Sequence, residues 1–124
     1  IDASIVRQVV GCLEVAHFAL VNHKALGRRD NPVVPPYTVT PTPYGLRADY
    51  VGTVSNFPRA LQHRAPDDFQ WRRVFDVFLP FAAILRIHFP EEGRLCILNE
   101  PSPISARKTR LFSHCVVTLT KTNP

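Results

Sequence analysis

The beginning of the chain repeats its hydrophobic positions with the period of a helix. From residue 3 to residue 25, apolar and half-apolar side chains recur at three- and four-residue steps: Val6, Val9, Val10, Leu13, Ala16 and His17. Steps of that size place side chains on one face of an amphipathic helix. Ser4 is suited to cap its start, and Gly27 is suited to end it. The pattern therefore predicts one long helix with an apolar face.

After residue 36 the hydrophobic period changes to two, which is typical of strands. The predicted strands cover residues 37–40, 46–54, 71–79, 82–89, 94–99 and 109–121. A turn at 42–45 makes the first two a hairpin. Residues 56–68 predict a long polar loop, and the Pro- and Ser-rich residues 100–106 predict a connection. The order favours an α+β fold in which a helix packs on a curved antiparallel sheet.

Composition and charge limit the class of protein. The 124 residues suffice for one domain, and 45% hydrophobic with 20% charged residues is typical of a globular chain. Twelve prolines predict short elements with frequent chain reversals. The net charge of +5 comes from short, scattered basic groups, which we expect on the solvated surface and which no nucleic-acid-binding motif accompanies. They are Arg28-Arg29, Arg72-Arg73 and Arg107-Lys108-Arg110. We therefore expect no nucleic-acid partner.

The three cysteines indicate a reducing compartment. Cys12, Cys96 and Cys115 are widely separated, show no Cys-x-x-Cys spacing and lie in apolar or strand-like runs. That usage favours buried free thiols over a disulfide framework or a structural zinc site. The chain shows no signal-peptide pattern, and its longest apolar run, 77–85, contains a proline and is too short to cross a membrane. We expect a cytoplasmic protein without a membrane partner.

Candidate chemistry is concentrated in the helical segment, at Glu14, His17 and His23. Glu14 and His17 are three residues apart and would share a helix face. His17 and His23 are six apart, which is about 240° around a regular helix. The usual helical metal pair is spaced by four. Spacing alone leaves two interpretations open: a metal site on a distorted helix, or one solvated and one core histidine.

Other histidines and apolar strand residues have simpler interpretations. His63 lies in the polar loop and is expected to be solvated. His88 and His114 lie in predicted strands. Each could line a pocket or have a structural role, and the structural role is favoured. Most apolar strand positions are expected in the core, and some of them could instead face a bound aromatic molecule. These positions are Phe78, Phe81, Leu85, Ile87, Ile97 and Phe112.

Several stretches together resemble one enzyme family. They are ASIVRQVVGCLEVAHFALVNHKALG, NPVVPPYTV, YGLRADY and VFLPFAAILRIHFPEEGRLCILNEPSPISARKTRLF. They are similar to the catalytic domain of the α-subunit of Rieske non-haem iron ring-hydroxylating oxygenases, which has an Asn-Phe-Leu-Asp-x-x-His-Phe-x-x-x-His motif. The resemblance covers nearly the whole chain. It implies a helix-grip fold, with residues 1–124 as part of the catalytic domain.

The resemblance also implies roles for individual residues. His17 matches the first iron-binding histidine. Glu14 falls where the family has an aspartate that hydrogen-bonds a ligand histidine and helps to route electrons between subunits, and Gly11 falls where an asparagine is common. The second iron histidine aligns with Asn22, one residue before His23. We predict His23 as the ligand, because imidazole binds ferrous iron far better than a neutral amide does.

Cofactors and partners follow from the same resemblance. It implies mononuclear ferrous iron (Fe2+), held by two histidines and a carboxylate with positions left open for dioxygen and substrate. The carboxylate ligand is expected on a helix after the last strand, and a Rieske 2Fe–2S cluster in a preceding domain. The reaction would hydroxylate or demethylate a small aromatic or apolar ring, with electrons from a ferredoxin or reductase, in a homotrimer.

Two other functions remain open at this point. One is a helix-grip module that binds a small ligand at a degenerate metal site without redox chemistry. The other is a structural fragment of a degenerate gene.

Overall fold

One helix and one antiparallel sheet make up the described part of the chain. The structure, a computed structural model, describes residues 1–15, 33–52, 70–89 and 92–118. The elements are α1 (Ile5–Leu13), β1 (Tyr37–Thr42), β2 (Gly45–Gly52), β3 (Trp71–Phe78), β4 (Ala82–His88), β5 (Arg94–Ser105) and β6 (Lys108–Thr118). The strands lie in chain order, each antiparallel to the next. The predicted combination of a helix with an antiparallel sheet is confirmed for these residues.

Helix α1 begins as predicted and ends earlier. The Ser4 side chain accepts a hydrogen bond from the backbone amide of Arg7 at 3.4 Å, which confirms the predicted cap. Glu14 has the extended angles φ −72° and ψ 118°, and its amide donates to the Val10 carbonyl at 3.0 Å. The helix therefore ends at Leu13, and its predicted continuation is wrong at Glu14. Residues 16–25 of that prediction lie outside the described residues.

The described part of the predicted apolar face is half exposed, and its other residues, Val9 and Leu13, are only half-buried. Val6 and Val10 are 64% and 58% exposed, and no residue of α1 is buried. The helix contacts β4, β5 and β6, and Leu13 packs against the core cluster. Gly11 lies in its last turn, where glycine costs about 1 kcal/mol relative to alanine. A weak last turn and little buried surface are consistent with a short helix.

Most predicted strands are confirmed, and β5 is longer than predicted. Residues 100–106, expected as a connection, include the second half of β5, which pairs with β6 up to Ser105. Pro101 and Pro103 lie opposite Leu111 and Thr109. Thr109 directs its backbone groups away from β5, so this strand position needs no amide hydrogen from the proline opposite. Prolines at such positions leave the hydrogen bonds between β5 and β6 intact. Pro101 lies two residues before Pro103, so the strand alternation gives it the same orientation opposite Leu111.

The first residues of the chain pair with β6 at Thr109. The Thr109 amide donates to the Ile1 carbonyl at 3.0 Å, and the Ile1 amino group donates to the Thr109 carbonyl at 3.0 Å. The Thr109 hydroxyl donates to the Ala3 carbonyl at 2.8 Å, and Thr109 is fully buried. Residues 1–3 thus cover this point of the β6 edge.

The two faces of the sheet differ in chemistry. The core face carries the buried cluster, namely Tyr50, Trp71, Phe75, Leu85 and Ile87. Trp71 packs edge-on against Phe89 with ring centroids 5.5 Å apart. The outer face carries mostly charged and small side chains. The described residues contain no helix long and apolar enough to cross a membrane.

Burial agrees with the prediction at some apolar positions and differs from it at others. Leu85 and Ile87 are buried as predicted, and Ile97 is half-buried, whereas Phe112 is exposed. The three cysteines are free as predicted. Cys115 is exposed, however, so its predicted burial is wrong. Phe112 and Cys115 both lie on β6, the last strand of the described sheet, where no further described strand covers them.

A buried carboxylate links the three central strands on the outer face. Asp76, on β3, is fully buried. Arg47, on β2, donates to its two carboxylate oxygens at 2.6 and 3.0 Å, and Arg86, on β4, donates to Oδ2. The Tyr44 hydroxyl donates to Oδ1 at 3.4 Å. The cluster therefore binds β2, β3 and β4 to one another through side chains.

The arginines decide the protonation state of Asp76. Burial alone would raise the pKa of its carboxyl group. The hydrogen bonds and positive charges of Arg47 and Arg86 outweigh burial, so the pKa of Asp76 lies below its usual value. Above the unfolded-state pKa of about 3.9, the ionised carboxylate makes its full contribution to the free energy of unfolding. This contribution is lost as the pH falls through the lower folded-state pKa.

Replacing Asp76 tests this contribution. We expect Asp76→Asn to lower the free energy of unfolding by about 2–3 kcal/mol at pH 7, because buried charge-assisted hydrogen bonds are lost. The difference from wild type should shrink as the pH falls below about 4, because the unfolded chain then takes up a proton at Asp76 while the folded carboxylate, with its lowered pKa, stays ionised. Urea unfolding at a series of pH values measures both effects.

Asp49→Asn is the matched control. Asp49 pairs with Arg72 on the same face, but both side chains are partly exposed. We expect a loss below about 1 kcal/mol. Equal losses for the two variants, or a pH-independent effect of Asp76→Asn, would contradict the assignment.

A glycine at the start of β2 permits a close approach of two strands. Gly45 has φ +156°, and a Cβ there would overlap the carbonyl oxygen of Val77. We expect Gly45→Ala to lower the free energy of unfolding by about 2 kcal/mol. Gly11→Ala is the control, since a Cβ at Gly11 meets nothing within 4 Å, and should stabilise the helix by up to about 1 kcal/mol. If urea unfolding shows that both variants change the free energy of unfolding in the same direction, this interpretation is refuted.

Candidate functional site

An apolar cavity of about 410 Å³ lies between the end of α1 and the first three strands. Small-molecule sites in proteins typically span about 300–1,000 Å³ and are mostly apolar. The lining includes two tyrosine rings and a phenylalanine ring. Its members are Leu13, Glu14, Val15, Val34, Tyr37, Leu46, Ala48, Tyr50 and Phe75. Size and lining together match a small apolar or aromatic molecule.

The two-residue period of β2 builds one wall of this cavity. Leu46, Ala48 and Tyr50 alternate along the strand and point to the core face. Ala48 lies opposite Phe75 on β3, and Tyr50 lies opposite Tyr37 on β1. Because Ala48 is the smallest of these side chains, space remains between the surrounding rings. The strand pattern therefore produces the cavity directly.

Glu14 brings a carboxylate to the cavity. It follows the last residue of α1 and is exposed, so its side chain lies on the solvent-facing part of the lining. The prediction that Glu14 and His17 share a helix face is wrong at Glu14, because the backbone there is extended. His17, Asn22, His23 and His63 lie outside the described residues.

Behind Tyr50 lies a buried arginine, Arg73, so the prediction of a solvated surface position is wrong for this residue. The Arg73 guanidinium carbon is 5.8 Å from the centroid of the Tyr50 ring, and both residues are buried. Burial raises the pKa of the Tyr50 hydroxyl and lowers the pKa of the Arg73 guanidinium. The strand period could have identified Arg73, since it alternates with Trp71 and Phe75 on the core face. Its proximity to the cavity wall depends on the register of β2 and β3.

The two described histidines lie away from the cavity. His88 is on the outer face of β4, where burial and the nearby Arg72 and Arg94 lower its pKa. His114 is on the outer face of β6 and exposed. Neither residue lines the cavity. Neither position supports a pocket-lining role at this cavity, and the exposure of His114 does not support the structural role there.

The described side chains do not by themselves form an iron site. Within residues 1–15, 33–52, 70–89 and 92–118, no group of three His, Cys, Asp or Glu side chains is placed to hold a metal ion. Asp76 is held by two arginines, and Glu14 supplies one carboxylate beside the cavity. The predicted iron ligands, His17 and His23, lie outside these residues.

Comparison with known proteins gives no family assignment. No protein-family model and no curated protein matches the chain. The resemblance to Rieske oxygenases therefore stays a prediction, and the geometry of the cavity is the observation on which the candidate site is based.

The cavity predicts weak binding of small aromatic molecules. Burying a ring of about 150–200 Å² contributes about 4–5 kcal/mol, which corresponds to a millimolar to sub-millimolar Kd. We expect indole to bind in this range, and Ala48→Phe to weaken binding by at least about 10-fold because the new ring fills the cavity. NMR titration of the labelled chain measures both affinities.

Thr40→Phe serves as the control. It adds the same ring on β1, but on the outer face opposite Arg47, and should leave the affinity unchanged. Binding that is insensitive to Ala48→Phe, or lost equally in both variants, would show that indole binds elsewhere.

Proposed function

We propose that this chain belongs to the catalytic domain of a mononuclear non-haem iron oxygenase that hydroxylates or demethylates a small aromatic or apolar ring. The proposed arrangement is a helix-grip fold, with the cavity as the substrate site. One observation carries the proposal: the aromatic-walled cavity of about 410 Å³ has a carboxylate in its lining, at Glu14. That carboxylate is three residues before His17 in the sequence.

The walls of the cavity favour a neutral ring as the substrate. Tyr37, Tyr50 and Phe75 offer ring faces and edges, and Glu14 is the charged member of the lining. Aromatic rings bind one another in offset or edge-on contacts. Tyr50 and Phe75 are buried and form the inner wall, whereas Tyr37 is exposed on the outer side of the cavity. The residues of this chain would therefore bind and orient the ring.

Glu14 has a positioning role in this proposal. A carboxylate that accepts a hydrogen bond from the second nitrogen of a ligand histidine fixes the tautomer and orientation of that ring. In the proposed site, His17 and His23 would hold ferrous iron, and Glu14 would orient one of them. When bound, the iron would supply dioxygen activation. The 2Fe–2S cluster and the ferredoxin or reductase that the resemblance implies stay predictions.

A second candidate is a binding module without redox chemistry. The specific observation in its favour is that described residues alone, at the end of α1, before β1 and on β1, β2 and β3, form the cavity. Such a module would bind the same class of small ring compound. Its Glu14 would face solvent without orienting a ligand histidine.

Iron content separates the two candidates. We expect the full-length protein, reconstituted with ferrous iron without oxygen, to hold one iron per chain, and both His17→Ala and His23→Ala to lose most of it, since imidazoles are the predicted ligands. His88→Ala is the control, because His88 lies on the outer face away from the cavity. Elemental analysis by mass spectrometry measures the iron.

Each alternative outcome has a definite meaning. Stoichiometric iron in both His17→Ala and His23→Ala would refute the proposed ligands. Loss of iron in Asn22→Ala, with retention in His23→Ala, would assign the second ligand to Asn22. A protein without iron that still binds indole in the cavity would support the binding module.

A further inference from the structure

One tyrosine of the cavity wall is hydrogen-bonded to a buried cation. Tyr50, on β2, lies directly opposite Arg73, on β3, and both residues are buried on the core face of the sheet. The Arg73 guanidinium lies over the Tyr50 ring and forms a hydrogen bond with the Tyr50 hydroxyl. The register of the two strands therefore gives the phenol oxygen in this wall a charged neighbour.

The chemistry of arginine determines which of the two groups donates. A guanidinium has N–H donors and no acceptor, so Arg73 donates and the Tyr50 oxygen accepts. A phenol hydroxyl can accept one hydrogen bond and donate another at the same time. The hydrogen of the Tyr50 hydroxyl is therefore directed away from Arg73, and the hydroxyl can donate it to a group on another side.

Two effects make this hydroxyl a good donor at neutral pH. Burial raises the pKa of Tyr50 by more than the positive charge and hydrogen bond of Arg73 lower it, so the hydroxyl keeps its hydrogen. A hydrogen bond accepted from a cation also polarises the phenol oxygen, which strengthens the hydrogen bond that the same hydroxyl donates.

The other polar groups of the cavity lining are less suited to hold an acceptor oxygen. The lining contains three such side chains, at Glu14, Tyr37 and Tyr50. An ionised carboxylate such as that of Glu14 accepts hydrogen bonds and donates none. Tyr37 is 56% exposed, where water competes for its hydroxyl, whereas Tyr50 is 5% exposed. Tyr50 is thus the buried donor of this lining.

The position of Tyr50 is defined relative to the space in the cavity. Ala48, whose small side chain leaves that space, is its neighbour on the same face of β2, about 7 Å away along the strand. The Phe75 ring is nearly parallel to the Tyr50 ring, with centroids 6.3 Å apart and an angle of 17° between the planes. A ring bound over Ala48 is therefore within reach of the Tyr50 hydroxyl through a short substituent.

We propose that the cavity selects neutral rings that carry an acceptor oxygen, such as an aryl ketone, through a hydrogen bond donated by the Tyr50 hydroxyl. The oxygen end of the molecule is then held at Tyr50, and the ring extends over Ala48 towards Leu46. This inference rests on the proposed use of the cavity as the site of a small ring, and it holds with or without bound iron.

Two ligands of nearly the same shape isolate this hydrogen bond. Acetophenone and α-methylstyrene differ in one group, since the C=O of the first is a C=CH2 in the second. They also differ in hydration, but this difference is the same for every variant of the protein. It cancels when the ratio of the two Kd values is compared between variants.

Replacing Tyr50 by phenylalanine removes the donor and keeps the ring. We expect Tyr50→Phe to weaken the binding of acetophenone by about 10-fold, because its oxygen is then buried without a donor. The affinity for α-methylstyrene should stay the same, which reports that the cavity of the variant is intact. NMR titration of the labelled chain measures the four Kd values.

Tyr44→Phe is the control. It also removes a hydrogen-bonded tyrosine hydroxyl, but one that donates to Asp76 on the outer face, and should leave both affinities unchanged. Three results would overturn the inference: a ratio of Kd values that Tyr50→Phe leaves unchanged, an equal loss of both ligands in Tyr50→Phe, or the same change of the ratio in Tyr44→Phe.

The Ala48→Phe variant separates the failure of this inference from the failure of the proposed site. If Ala48→Phe weakens both ligands and Tyr50→Phe leaves the ratio unchanged, the cavity is the binding site but does not select an oxygen. If Ala48→Phe weakens neither ligand, the cavity is not the site, and the inference fails with it. Iron content tests the proposed metal ligands separately.

Discussion

A carboxylate without access to water, Asp76, determines how the three central strands align. Its two oxygens receive arginine hydrogen bonds from β2 on one side and from β4 on the other. A shift of either neighbouring strand by one residue would turn its arginine to the core face. The same shift would remove one of the two arginines from the buried carboxylate and bury that arginine among apolar side chains, at a cost of several kcal/mol. The register of β2, β3 and β4 is therefore strongly specified from the outer face.

That register also places the residues of the cavity on the other side of the sheet. Ala48 lies opposite Phe75 only because Arg47, the preceding residue, lies opposite Asp76. Charged residues and cavity walls alternate along the same strands, as the two-residue period requires. The ion-pair cluster is thus separate from the candidate site in chemistry and still determines its shape. Substitutions at Asp76 can therefore affect the cavity without contacting it.

The sequence predicted the sheet better than the helix, for physical reasons. The period of two and the turn around Pro43 were sufficient for the β1–β2 hairpin. Pro101 and Pro103 suggested a connection, because the sequence does not reveal whether a proline nitrogen faces a partner strand. The helix was predicted too long, because the period of its apolar residues does not indicate at which residue the helix ends. For the site, Glu14 is found beside the cavity, Arg73 was missed, and the roles of His17 and His23 stay predictions.

The cavity has a thermodynamic consequence for the short helix. No residue of α1 is buried, yet Leu13, with Glu14 and Val15, forms part of the cavity lining opposite the sheet. A molecule in the cavity would contact the end of the helix and the strands at once. By linkage, a ligand that binds only the docked arrangement stabilises it by about 2.7 kcal/mol at a concentration of 100 Kd. Occupancy of the cavity and attachment of α1 to the sheet would then be two measures of one equilibrium.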